Sequence, residues 1–458
     1  MYKHLFFLTV SFIFLCNGAL FGFDLPVSRI TDDSLLRIRL KEQWMLESPV
    51  RVLSQGSRIE LLETGERVQI STIQGREEFM VIFARELYRG TSLANRRAAG
   101  TFPGWAQGSW ILTRRRDGAA TQIRIYPRSD QNTHIQLRPL SEDKCQLDVV
   151  IYGGFVARSI PIAVPFERLY TMQINDILRL AENKIPLRYF EPDIASYAAT
   201  RNFIAQVRPH LAGLRYADDG AIDENGNHVL IASLQEQNPQ SSGLNCSGFI
   251  KWLIDGMLRP VTGRRLPIDP LKAPFGERGS SFTVNWEERR DVFFGLDWIR
   301  NLAAEANETL RALPNTRTSA YRRLEEFEVR SDNFSLIMLN QNSRGFVTHS
   351  YYGFLSEAGY GMEGLHPLLY TLAIDEPFSF YLAAVNSEIN TPSSPGGTPR
   401  LRQYHHVAAL VPYFDENGNF RIVVFESAAE TSFTAFRNRY NRHHVNLVRI
   451  PVPPRFEP

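Results

Sequence analysis

The sequence predicts an α+β protein, and three observations carry that reading. Residues 34–165 hold short runs rich in β-branched and aromatic residues, punctuated by Gly, Asp and Asn. From about Pro165 to Arg215, and again from Cys246, apolar residues recur at helical spacing. From Phe378 onward the chain returns to strand-like runs. At 458 residues it exceeds one ordinary domain, so two or three are expected. Its 43% hydrophobic content and 30 Phe exclude a largely disordered chain. Lys plus Arg number 51 against 49 Asp plus Glu, and that near-balance argues against a nucleic-acid partner.

Residues Met1–Asp24 read MYKHLFFLTVSFIFLCNGALFGFD, a lysine, an apolar run from Leu5 to Cys16, and then small residues. This is the pattern of a secretory signal peptide, expected over residues 1–22 with cleavage after Ala19 or Gly22. The run is short for a membrane span, and no other segment approaches the roughly 20 apolar residues a span needs. The mature chain is therefore expected to be exported, periplasmic or extracellular, with no integral membrane segment. The bulky Ile13-Phe14-Leu15 ahead of Cys16 disfavours a lipid anchor there.

Within residues 34–165 the sequence predicts strands at Val50–Leu53, Val68–Ile73, Phe79–Phe83, Thr121–Tyr126 and Leu147–Tyr152. The stretch from Val50 to Ala84 alternates apolar and polar around Gly65 and Gly75. It resembles the small Src-homology-like barrels attached to bacterial wall enzymes, which implies a wall- or ligand-binding region. The Arg114-Arg115-Arg116 run reads as a solvated loop or strand end.

Residues 166–458 open on helices, with Met172, Ile174, Ile177, Leu178 and Leu180 on one face and a second helix over Ala195–Val207. A polar stretch from Asp218 to Gly243 leads into CSGFIKWLIDGM, where Phe249, Ile250, Leu253, Ile254 and Met257 keep helical spacing. Helices follow over Glu287–Leu313 and Ser319–Phe327, then a hairpin-like pair at Phe334–Leu339 and Phe346–Phe354. The last strands are Phe378–Val385, His406–Val411, Phe420–Phe425 and Val445–Ile450, with a Pro/Gly/Ser loop at Thr391–Pro399. DENGN occurs at Asp223–Asn227 and Asp415–Asn419. Asn-Gly between apolar runs is a hairpin turn, and calcium loops need more carboxylates.

Three cysteines cannot build a disulfide framework or a multi-cysteine zinc cage. Cys16 belongs with the export segment, and Cys145 in CQLDVVIYGG reads as a core residue, expected to be unpaired. Cys246 sits where a Gly/Ser/Asn loop meets an amphipathic helix, so its thiol faces the positive end of the helix dipole, which favours a thiolate. A nucleophilic cysteine needs a base and a group that orients the base. Alternation puts His406, Ala408 and Leu410 on one strand face, and Phe420, Ile422, Val424 and Glu426 on one face of the next. A hairpin through Asn417-Gly418 brings His406 and Glu426 together at its open end. His349, after a strand, is the rival base. The pairs His405-His406 and His443-His444 point to opposite faces and no HExxH occurs, so no metal is expected. No phosphate loop or GxSxG elbow occurs, so no cofactor is expected either.

These residues carry a resemblance. GLNCSGFIKWLIDG is similar to the nucleophile motif of NlpC-type cell-wall peptidases, a papain-like cysteine peptidase family. His406-Val407-Ala408 resembles that family's base strand, and Phe425-Glu426-Ser427-Ala428 the strand that orients the base. The resemblance covers about Tyr216–Leu258 and Phe378–Ile450. It implies a papain-like domain over 166–458, with catalytic Cys246, His406 and Glu426 and substrate contacts at Tyr216, Asn245 and Ser247. Asn245 stands where the family has aspartate, and Glu426 where it more often has His, Asn or Gln. Cys246 and His406 lie 160 residues apart, which implies an insertion at about 259–375. The activity implied is hydrolysis of amide bonds in peptidoglycan stem peptides, with peptidoglycan or peptide as partner. Two other classes fit the same scaffold: a binding protein that has lost catalytic competence, and an acyltransferase or lipid amidase.

Overall fold

The computed structural model describes residues 24–87, 100–181, 184–276, 291–311, 324–330, 337–341, 347–351, 354–355, 358–388 and 401–458. The expected signal peptide and the Thr391–Pro399 loop lie outside them, as do parts of the expected helices at Glu287–Leu313 and Ser319–Phe327 and of the expected hairpin pair.

The described chain opens on helix rather than strand. α1 (Ser34–Leu40) continues through a π turn at Lys41–Leu46, and α2 (Pro49–Ser54) follows. Leu36, Leu40 and Trp44 fall four residues apart and are all buried. The strand expected at Val50–Leu53 is thus the helix α2. Pro49 occupies its first position, where a missing N–H costs nothing and the fixed φ suits a helix. That start, with Val52 fully buried, outweighs the β preference of the valines.

An antiparallel meander comes next: β1 (Arg58–Leu61), β2 (Arg67–Gln74), β3 (Glu78–Arg85), β4 (Trp110–Arg115), β5 (Ala120–Ile125), β6 (Thr133–Pro139), β7 (Cys145–Ile151) and β8 (Gly154–Ile162). Each strand pairs with its sequence neighbour, so the sheet grows sideways into a long meander rather than the small barrel expected around Gly65 and Gly75. The turns do fall near those glycines, with Gly65 at φ 82°. Arg114 is buried and donates to the carbonyls of Glu47 at 2.9 Å and Gly118 at 3.0 Å, whereas Arg115 and Arg116 are exposed at the strand end.

α3 (Ile174–Arg179) and α4 (Ala198–Leu211) follow, then the hairpin β9 (Gly220–Ile222) and β10 (His228–Leu230). α5 (Cys246–Thr262) lies against α6 (Phe294–Arg311), and α7 (Leu324–Phe327) is short. β11 (Ile337–Gln341) and β12 (Val347–Tyr351) form a hairpin that extends the first sheet beyond β8. The second sheet contains β13 (Phe354–Leu355) and β14 (Gly359–Gly361), followed after α8 (Leu365–Asp375) by β15 (Ser379–Glu388), β16 (Leu401–Phe414), β17 (Phe420–Glu426) and β18 (Ala429–Ser432). After α9 (Phe433–Arg439), β19 (His444–Pro451) completes it, in the order β13-β14-β19-β15-β16-β17-β18. Both DENGN segments are hairpin turns, in which Asp223 and Asp415 accept backbone N–H bonds from the residues two and four positions on.

The second sheet is apolar on both faces, which is why its strands read as nearly unbroken hydrophobic runs. Tyr381, Ala383, Val385, Ala408 and Leu410 point into one core, shared with the first sheet, α3 and α8. Phe380, Leu382, Ala384, Val407, Ala409 and Val411 point into another, shared with α4, α5 and α6. The described parts of the segment 259–375, read from the sequence as an insertion, join several parts of this architecture. They supply α6 to the second core, the β11–β12 hairpin to the first sheet, and β14 to the edge of β19. No described helix is long and apolar enough to cross a membrane.

Candidate functional site

The site begins with the start of α5. Asn245 is its N-cap, and its side-chain oxygen accepts the Gly248 N–H at 2.7 Å. Gly263, at φ 71°, closes the other end with its N–H on the Arg259 carbonyl. The glycine of the Cys-Ser-Gly run has a direct physical reason. A Cβ at Gly248 would fall 2.0 Å from the Gly220 carbonyl oxygen, because β9 lies against the first turn of the helix. Two more bonds fix that turn: the Asn245 N–H to Gly220 O at 2.9 Å, and the Trp298 indole N–H to the Ser247 carbonyl at 3.0 Å. Cys246 is thereby held rigidly as the first helical residue, half-buried and free of disulfide.

The hairpin of β16 and β17 brings the next two groups. Pairing between these strands stops at Ala409 and Phe425, before reaching Val407. The Val407 N–H and the His406 imidazole both stand close enough to the Cys246 sulfur to favour its ionised form. His406 Nε2 lies 2.7 Å from Glu426 Oε2, which leaves Nδ1 for the sulfur. β17 ends at Glu426 because the chain turns at once through Ser427 and Ala428, at φ 49° and 64°, into β18. His406 is 8% exposed and Glu426 2%, so both work in a largely water-excluded setting.

Electrostatics follow from the contacts. Burial alone would push the Cys246 thiol up, but the hydrogen bond and charge of His406 and the Val407 N–H bring it below its ordinary value. Burial would push His406 down, yet Cys246 and Glu426 raise it to about 9. Glu426 is lowered against its own burial by His406 and Arg439. The arrangement favours a thiolate beside an imidazolium. Cys145 makes the contrast: buried on β7 with its thiol 3.3 Å from the Val164 carbonyl, it is pushed up to about 11 by burial alone.

Of the remaining residues singled out in the sequence, Asn245 has its oxygen committed to capping α5. Ser247 is buried, with its hydroxyl 3.9 Å from the Cys246 sulfur. Tyr216 is 61% exposed, between Arg215 and Ala217, whose backbones bracket Leu244 and so stand beside the approach to α5. His349 lies on β12 opposite Leu339, in the first sheet.

Two residues escaped the sequence reading. Arg439 Nη1 donates to Glu426 Oε1 at 2.9 Å, and the Tyr440 ring stacks on His406 with centroids 5.2 Å apart and an interplanar angle of 24°. Arg439 ends α9 and Tyr440 caps it, and the sequence NRYNRHH holds no local signal for either contact.

Residues 26–189 match a family model described as a domain of unknown function (DUF8515). The match covers α1 to α3, with β1–β8 of the first sheet, and ends before Cys246. No curated protein and no solved structure matches the chain.

Proposed function

We propose that this chain is an exported cysteine peptidase or amidase that hydrolyses amide bonds in peptidoglycan stem peptides, with Cys246 as nucleophile, His406 as base and Glu426 as the group that orients the base. The observation that supports this most is the unbroken run of contacts from thiol to imidazole to carboxylate at a helix start lying against an antiparallel sheet. A papain-like domain of the NlpC type fits that arrangement and the motifs around it. The signal-like start of the chain supports export.

The reaction follows from the charges. The His406 imidazolium holds the proton and the Cys246 thiolate attacks the amide carbonyl carbon. The Cys246 and Ser247 N–H groups, in the first turn of α5, lack intrahelical acceptors and are the available donors for the oxyanion. His406 gives its proton to the leaving amine, and the acyl group stays on sulfur. His406 then takes a proton from water, whose oxygen attacks the acyl carbon and frees the thiolate.

Incubating the chain with purified peptidoglycan and following new amino and carboxyl groups by mass spectrometry tests the reading. Wild type should release both groups in equal amounts, and Cys246→Ala should release none. New esters or amides in their place would indicate acyl transfer. Binding without any release would indicate a wall-binding protein.

A further inference from the structure

A carboxylate as the orienting group creates an electrostatic difficulty. A neutral amide can accept the imidazole N–H without adding charge, whereas Glu426 sets a second negative charge on the far side of the imidazole from the thiolate. A buried carboxylate is also costly unless its oxygens are satisfied. Here both are: Oε2 faces His406 at 2.7 Å, and Oε1 accepts from Arg439 at 2.9 Å. The guanidinium carbon of Arg439 in turn lies 5.6 Å from the centroid of the Tyr440 ring. The Tyr440 ring backs His406. Thiolate, imidazolium, carboxylate and guanidinium together carry no net charge.

We infer that Arg439, with Tyr440 as the plate behind the imidazole, is a positioning residue of this site: it pins the outer oxygen of Glu426 and neutralises it, so that the carboxylate orients His406 without opposing ionisation of Cys246. The inference rests on the catalytic reading given above. The other titratable groups facing this cluster are His405 on β16 and His443 ahead of β19, whose rings stand 5.9 and 5.5 Å from that of Tyr440. Both remain in every variant below.

Loss of a positive charge beside the pair raises the pH at which the thiolate forms. Thiolate absorbance near 240 nm, followed against pH and referenced to Cys246→Ser, reads that midpoint directly. Arg439→Gln should raise it by about one pH unit, Arg439→Glu further in the same direction, and Arg439→Lys by less than about half as much. The Arg439 side chain is half exposed, so water can reach the Glu426 oxygen it leaves, and the variants should fold with a Tm below that of wild type. Should they fail to fold, Arg439→Met, which keeps the stem over the Tyr440 ring and removes the charge, should raise the midpoint in the same way. A midpoint unmoved in folded Arg439→Gln overturns the inference. A wild type with no thiolate below about pH 8, indifferent to His406→Ala, overturns instead the catalytic reading beneath it.

Discussion

At the scale of residues, the site depends on where charge is allowed to sit. Cys246, His406 and Glu426 could be picked from the sequence because each lies in a short run with a local meaning: a helix start, and two strands joined by an Asn-Gly turn. Arg439 and Tyr440 could not, since their roles exist only through partners on β16 and β17. Asn245 was legible as a polar residue before the cysteine, but its capping bond to Gly248 appears only once the helix is built. Glu426 gives a prediction with a definite sign. Its charge favours the protonated imidazole, and His406 is raised to about 9. Glu426→Gln still offers an oxygen to Nε2 but removes the charge. The alkaline limb of the pH–rate profile should therefore move to lower pH, by about one unit, with a modest fall in kcat. Glu426→Ala should lower kcat by about tenfold or more, because the ring loses its orienting partner.

Elements set the distances that those charges need. α5 was readable from its apolar spacing, and the strands from β15 onward from their runs of apolar residues. α1 and α2 were not, because Val50 and Val52 favour a strand locally while Ser48-Pro49 and burial of Val52 decide for a helix. The first turn of α5 is the most constrained element. Gly248→Ala puts a methyl carbon into the Gly220 carbonyl, so the helix start must draw away from β9. The expected cost is about 1–3 kcal/mol of stability. Activity should fall more than that loss of folded protein accounts for, as the sulfur moves relative to His406. Equal kcat in Gly248→Ala and wild type would show that this contact does not position the nucleophile.

For the whole molecule, composition and pattern foretold mixed helices and sheets but not how they join. The first sheet shares a core with one face of the second, and the contacts that close it come from residues far apart in sequence. Arg128 donates to the Tyr370 hydroxyl at 2.9 Å, that hydroxyl donates to the Tyr189 carbonyl at 2.7 Å, and Tyr152 stacks on His366 at 3.7 Å. Such a shared core predicts one cooperative unfolding transition by calorimetry. Tyr370→Ala, which removes a fully buried ring, should lower stability by about 3–5 kcal/mol while keeping a single transition. Two resolved transitions would mean that the sheets fold independently.

The proposed chemistry requires that His406 hold Cys246 as a thiolate. The rate of iodoacetamide labelling at Cys246 near pH 6.5 measures this directly, since an ordinary thiol is only about 1% ionised there. Wild type should label at least about tenfold faster than His406→Ala, and Cys145 in either protein should stay nearly inert. Equal slow labelling of Cys246 in both proteins would contradict the account.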